Sequence, residues 1–265
     1  MSNKVALITG GARGIGAGIA RNFLENGYRV MVSDIGLKTD SSKWAYKLAD
    51  PTDFEALKQE FEYCKACFVD VTDSQSCLEA IETTISSFGQ LDVLINNAGV
   101  VDSGPLESFS EQSWDRIFDV NAKGIFLMSK AGVPELKNSD NACIINTASI
   151  AGKSGYANMS AYCGSKFAAI GITQSLASEL APQGIRVNAI CPGMVGTAMW
   201  LDHLLPTNAV EYSQKNEEFE KMMQERIPLG RSQTPEDMGE AALYLATAKN
   251  VTGISLSVSG GFEMN

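Results

Sequence analysis

Val5-Ala6-Leu7-Ile8-Thr9-Gly10-Gly11-Ala12-Arg13-Gly14-Ile15-Gly16 is the stretch that decides the fold. Residues 5–10 are apolar almost without alternation, the pattern of a strand covered on both faces, and such strands belong to parallel sheets. A glycine-rich turn follows, then a helical run over residues 17–25. That order permits a tight reversal and lets the backbone approach a pyrophosphate resting on the unpaired N–H groups of the helix start. The spacing Gly-x-x-x-Gly-x-Gly departs from the common G-x-G-x-x-G, and such turns also arise for packing alone, so the reading needs support from the rest of the chain.

Outward from this turn, short apolar runs recur at residues 29–34, 66–71, 91–97, 142–149, 186–192 and 254–259, separated by helix-length polar or amphipathic segments. The alternation predicts an α/β architecture, a doubly wound parallel sheet of seven strands with helices on both faces and right-handed crossovers. No repeat, low-complexity stretch or linker divides the 265 residues, so one domain is expected over 1–265. Residues 198–228 break the rhythm with a long excursion after a strand end, where such folds place a lid over the ligand crevice. Phe219, Met222, Met223 and Ile227 recur there at helical spacing, which predicts one or two short amphipathic helices. Residues 36–63 are also long for one crossing and carry no functional reading.

Composition narrows the function. The chain is 45% apolar and 20% charged, an ordinary globular balance. With 21 Lys+Arg against 31 Asp+Glu the net charge is -10, which would repel a phosphate backbone and an anionic membrane surface, so neither nucleic acid nor membrane is an expected partner. A single histidine, His203, excludes multi-histidine zinc sites, and no metal is expected; it reads as a lid surface residue. The opening residues lack the apolar core of a signal peptide and no run reaches membrane-spanning length, so a cytoplasmic location is expected. The six cysteines read as buried free thiols, and the Cys64-x-x-Cys67 pair, lacking a second ligand pair, as structural.

Several residues carry chemistry. Asp34 closes the second strand, where a carboxylate can accept hydrogen bonds from the adenosine ribose hydroxyls and repel a 2′-phosphate. NAD is therefore expected and NADP is less favoured, although Arg13 in the glycine turn can pair with that phosphate. Tyr162 and Lys166 stand one helical turn apart on one face of the helical run 160–180, so an ammonium can stabilise a phenolate. Ser149 ends one strand, Asn97-Ala98-Gly99 the preceding one and Pro192-Gly193 the following one. Carboxyl ends are where open α/β sheets bind ligands.

Together these residues resemble the short-chain dehydrogenase/reductase family over essentially the whole chain. In that resemblance the segment 9–16 is the cofactor turn, with Gly10, Arg13, Gly14, Ile15 and Gly16 against the dinucleotide, and Asp70-Val71 is the adenine contact. Asn96-Asn97-Ala98-Gly99 is the N-N-A-G segment, and the segment 192–197 is the nicotinamide segment, with contacts from Pro192, Gly193, Val195 and Thr197. Asn121, Ser149, Tyr162 and Lys166 match the catalytic tetrad, although the asparagine motif usually reads N-V-x-G and has Ala122 here. The resemblance implies a Rossmann sheet with a helical substrate lid and NAD-dependent hydride transfer to or from a secondary alcohol or ketone. Ser149 would bind the substrate oxygen and Tyr162 would take its proton. Lys166 would lower the Tyr162 pKa and hold the nicotinamide ribose, and Asn121 would position a water linking Lys166 to solvent.

The segment 192–200 and the lid are similar to the branch acting on secondary alcohols, diols, acetoin-type ketones and polyols. Ile150, Tyr156, Met194, Met199 and Trp200, with Ser149, would line an apolar substrate pocket. That lining suits a sterol or alkyl ketone better than a sugar, so a hydroxysteroid dehydrogenase is an alternative. A non-catalytic dinucleotide sensor or scaffold is another, and loss of Tyr162 or Lys166 would have favoured it. The resemblance and the apolar helices also imply a homotetramer.

Overall fold

The computed structural model describes residues 4–37 and 49–264. Seven strands pair in parallel: β1 (Val5–Thr9), β2 (Arg29–Asp34), β3 (Cys64–Phe68), β4 (Val93–Asn96), β5 (Cys143–Thr147), β6 (Arg186–Pro192) and β7 (Ser255–Val258). Their order is β3-β2-β1-β4-β5-β6-β7, so the winding reverses between β1 and β4 and opens a crevice at their carboxyl ends. The helices are α1 (Gly14–Glu25), α2 (Pro51–Glu60), α3 (Ser74–Phe88), α4 (Glu111–Phe118), α5 (Gly124–Leu136), α6 (Ser160–Leu180), α7 (Tyr212–Arg226) and α8 (Pro235–Thr247).

Alternation along each strand divides the core. Ala6, Ile8, Val30, Val32 and Ile95 pack beneath α1, α2 and α8, with Phe23, Phe54 and Leu245 among the side chains that meet them. Leu7, Met31, Leu94, Ile144 and Val187 face the other way, against Ile81 of α3, Met128 of α5 and Ala177 of α6. Both faces of the sheet are covered, which is why its strands read as continuous apolar runs.

The third strand lies two residues earlier than the apolar run 66–71 predicts. Asp70 ends it: its Oδ1 accepts from Thr72 N at 2.9 Å and from Thr72 Oγ1 at 2.7 Å, a side-chain turn that competes with the ladder, and Asp73 then caps α3. Cys64 and Cys67, three apart on β3, contribute to the packing on opposite faces of the sheet. Burial pushes their thiols up to about 11 and about 12, so neither is a thiolate at neutral pH. Of the segment 36–63, residues 38–48 lie outside the described residues, and α2 fills most of the remainder.

The segment 198–228 holds a π-helical turn at Met199–Leu204 and the longer α7. Phe219, Met223 and Ile227 are buried with Met194 and Leu201, whereas Met222 packs at the margin of this cluster. A second π-helical turn, Asp119–Lys123, joins α4 to α5 and contains Asn121. Among the described residues no helix is long and apolar enough to cross a membrane, and no group of His, Cys, Asp or Glu could hold a metal ion.

Candidate active site

A cavity of about 840 Å³ opens at the carboxyl ends of β1, β2, β4, β5 and β6. At one end it is lined by Gly10, Arg13, Gly14, Ile15 and Gly16 of the glycine turn, Asp34 at the end of β2, and Asp70 and Val71 beyond β3. Asn97, Ala98 and Gly99 after β4, and Pro192, Gly193, Val195 and Thr197 at β6, also line it. Ser149, Tyr162 and Lys166 lie beside Ile150, Tyr156, Met194, Met199 and Trp200 on its wall. The structure thus brings every predicted site residue except Asn121 onto one surface.

The glycine turn is shaped by close approach. A Cβ on Gly16 would lie 2.1 Å from the Gly10 carbonyl oxygen, and Gly14 has φ 53°, so side chains at these positions would close the cradle. Arg13 is the extended N-cap of α1 and makes no side-chain cap, which leaves the first-turn N–H groups uncapped by a side chain. Asn97 joins this turn to β4: its Nδ2 donates to the Thr9 and Gly10 carbonyls at 3.0 and 2.9 Å, while Thr9 Oγ1 accepts from Asn97 N and Ala98 N at 3.0 Å each.

Asp34 is buried at the cavity wall, and burial pushes its carboxyl above the ordinary range. Backbone hydrogen bonds from Gly36, at 3.0 Å, and Ala12 oppose that shift, as does the Arg13 charge. Arg13 therefore acts electrostatically on Asp34 and favours its ionised form.

Ser149 caps the short turn Ile150–Gly152, its Oγ accepting from Ala151 N at 3.1 Å. It also hydrogen-bonds the Tyr162 phenol, which pulls the phenol pKa down against burial; burial wins and the group is pushed up to about 12. Lys166 is buried in α6, with Nζ donating to the Thr147 carbonyl at 2.8 Å and lying 5.8 Å from the Tyr162 ring centroid. Burial lowers its ammonium to about 8. In this arrangement the ammonium donates to the end of β5, and the hydrogen bond from Ser149 is what favours the phenolate.

Asn121 stands behind the cavity wall. Its Oδ1 accepts from Val100 N at 2.8 Å, and its Nδ2 donates to Val100 O at 2.9 Å and Ser165 Oγ at 3.0 Å. A methyl at Gly99 would sit 3.4 Å from that Oδ1 and 3.5 Å from Lys166 Nζ, so the amide and the ammonium flank the same glycine. The amide fixes the loop after β4 and the residue preceding Lys166.

The sequence reading missed Met159, Leu204, Arg226 and Phe262, all on the cavity wall. Leu204 and Arg226 lie within the lid segment, which gave no indication of which face turns inward, and Phe262 arrives from beyond β7 with no motif around it. His203 is not on that wall; it sits half-buried in the lid, its Nε2 3.8 Å from Asp102 Oδ1. Lys215 of α7 pairs with Asp202 at 2.9 Å, joining the two helical pieces of the lid.

Comparison with known proteins agrees with this geometry. Residues 4–204 match the family described as short chain dehydrogenase. The chain is 35% identical to galactitol 2-dehydrogenase of Agrobacterium fabrum, over 100% of this chain and 99% of that protein. It is 36% identical to L-2,3-butanediol dehydrogenase of Corynebacterium glutamicum, over 99% and 100% respectively. The fold superposes on a 3-ketoacyl-(acyl-carrier-protein) reductase from Brucella melitensis, solved with NADH, with a TM-score of 0.84, 30% identity and 98% of each chain covered. The chain belongs to the short chain dehydrogenase family and is an oxidoreductase acting on CH–OH groups.

Proposed function

We propose that the chain transfers hydride between a nicotinamide dinucleotide, NAD(H) in preference to NADP(H), and a small secondary alcohol or ketone of the diol, acetoin or polyol type. The observation that carries this reading is the convergence of Ser149, Tyr162 and Lys166 on the wall of a cavity whose other end is the glycine turn and Asp34. The residues fit such a cofactor: the turn closes this tightly only because Gly14 and Gly16 carry no Cβ, its first-turn N–H groups could hold a phosphate, and Asp34 on the cavity wall could accept from ribose hydroxyls. The galactitol and butanediol dehydrogenases among the relatives support the substrate class.

When bound, the nicotinamide supplies the hydride acceptor or donor, and the protein's own groups manage the proton and the geometry. Ser149 donates to the substrate oxygen. Tyr162, exchanging its Ser149 hydrogen bond for one to the substrate hydroxyl, takes that proton in oxidation and returns it in reduction. Lys166, whose Nζ donates to the Thr147 carbonyl, would hold the nicotinamide ribose, and its lowered pKa lets it exchange a proton near neutral pH. Asn121 acts through position, keeping the loop at Gly99 and the helix at Ser165 in register with Lys166. Residues 1–265 act as one catalytic unit with 198–228 as its lid, and four such chains assemble.

The test is turnover by the purified protein. Absorbance of the reduced nicotinamide should change with short diols, acetoin-type ketones or polyols. Binding of the dinucleotide with no turnover of any alcohol or ketone, hydroxysteroids included, would replace this reading with that of a dinucleotide sensor.

A further inference from the structure

Phe262 lines the same cavity as Tyr156, Met194 and Trp200. The strap that carries it, residues 259–263, is fastened on both sides. Ser259 Oγ accepts from Glu263 N at 3.0 Å and donates to Glu263 O at 3.1 Å, and Phe262 N donates to Ser259 O at 3.1 Å, which closes the strap into a turn. Glu263 Oε2 accepts from Ser154 Oγ at 2.7 Å, tying this turn to the loop that follows Ser149. On the opposite side Leu229 N donates to Gly260 O at 3.1 Å. Gly260 has φ 61°, and a Cβ there would meet Ile227 Cγ2 at 2.6 Å, so the strap packs against the lid's Ile227 side chain with no room for a methyl. Phe262 packs on the apolar cluster of Met194, Phe219, Met223 and Ile227.

The strap that carries the ring is thus fastened to the loop after Ser149 and to the segment after the lid, and the ring lines the same cavity as Ser149 and Tyr162. A phenyl group has two side-chain torsions and keeps its shape when packed, so it bounds a pocket more sharply than the methionines around it. We propose that Phe262 is a specificity-determining residue that limits the size of the substituent beside the reacting carbon, with Glu263 as the positioning residue that holds it through Ser154. The inference rests on the reading of this cavity as an alcohol and ketone site.

Two readouts test it. The first is the ratio of kcat/KM for 1-phenyl-1,2-propanediol to that for 2,3-butanediol with NAD. The second, free of turnover, is the ratio of acetophenone to butanone affinity by titration calorimetry on the protein without cofactor. Phe262→Ala should raise the kinetic ratio at least about tenfold, within the range that one apolar contact discriminates, and shift the binding ratio in the same direction. Phe262→Leu should act likewise and more weakly, which keeps the test available where the alanine variant folds poorly. Glu263→Ala should move both ratios part of the way, and Glu263→Gln, which retains an acceptor for Ser154, should stay within about twofold of wild type. Both ratios unchanged within about twofold in the two Phe262 variants would overturn the proposal. A shifted binding ratio with no turnover of either diol by the wild type would leave the wall in place and remove the catalytic reading instead.

Discussion

Lys166 Nζ donates to the Thr147 carbonyl oxygen at 2.8 Å, which ties the ammonium of α6 to the end of β5 instead of to the Tyr162 hydroxyl. A buried ammonium with one carbonyl partner is under-solvated, and its pKa of about 8, against a phenol at about 12, makes it the first of the two groups to lose a proton.

The pH dependence follows from that order. Alcohol oxidation needs a deprotonated pair, so kcat for oxidation should rise about tenfold per pH unit below about 8 and level off above it, with ketone reduction showing the reverse trend. Stability has its own sign. The folded Lys166 pKa of about 8 lies below the ordinary 10.5, so between these values the unfolded chain binds more protons and stability rises with pH. Tyr162, raised from 10.0 to about 12, acts oppositely and reduces stability as pH climbs through that window. Five thiols, raised by burial from 9.0, lower stability above about pH 9 in any variant, so the Lys166 contribution is read as a difference: the stability of wild type relative to Lys166→Met should rise between about pH 8 and 10 in denaturant unfolding.

Asn121 offers a test of support at one remove. Asn121→Ala leaves Val100 N and O without their side-chain partners, and a buried unsatisfied group costs about 1–3 kcal/mol. Stability should fall by that order, and kcat should fall more than the dinucleotide affinity, because Gly99 and Ser165 lose their common brace beside Lys166. Loss of stability with kcat unchanged would make Asn121 a purely structural residue.

The proposed preference for NAD(H) over NADP(H) rests on Asp34. Its carboxylate faces the site from a fixed position, and Arg13 favours its charged form, so the arginine is partly committed to the aspartate. The kcat/KM for NAD(H) should exceed that for NADP(H) by at least about tenfold, roughly 1.4 kcal/mol. Asp34→Ala should narrow the gap mainly by improving NADP(H), and Arg13→Ala should worsen NADP(H) further. A wild type that prefers NADP(H) would assign the choice to Arg13.

Assembly is the fourth test. Trp114 of α4, Phe126 of α5 and Phe167 of α6 are each more than two-fifths exposed, an apolar surface that two copies of these helices can cover. Light scattering at micromolar concentration should give four times the 28.4 kDa chain mass. Charged substitution of Phe126 and Phe167 should lower it, whereas a monomeric wild type would contradict the expectation.

What the sequence shows and what it hides divide along locality. The glycine turn, Asp34 and the Tyr162/Lys166 pair each depend on a few consecutive residues, and the carboxyl-end rule brings them to one edge. The offset of β3 depends on a side-chain turn at Asp70 that competes with an apolar run, and hydrophobicity alone does not register such competition. Phe262 and His203 depend on long-range return of the chain, Phe262 to the Ser149 loop and His203 to Asp102, and no local pattern announces either. The ammonium's turn toward Thr147 is likewise a matter of three-dimensional hydrogen bonding.

The most direct measurement is the turnover of Tyr162→Phe, with dinucleotide affinity taken by fluorescence on the same preparation. The phenylalanine keeps the ring beside Lys166 and removes only the hydroxyl that bonds Ser149. Affinity for the reduced dinucleotide should stay within about twofold, while kcat should fall by about 10²–10⁴-fold, the usual worth of a positioned proton donor. Retention of more than about a tenth of wild-type kcat would contradict the assignment of the proton transfer to Tyr162.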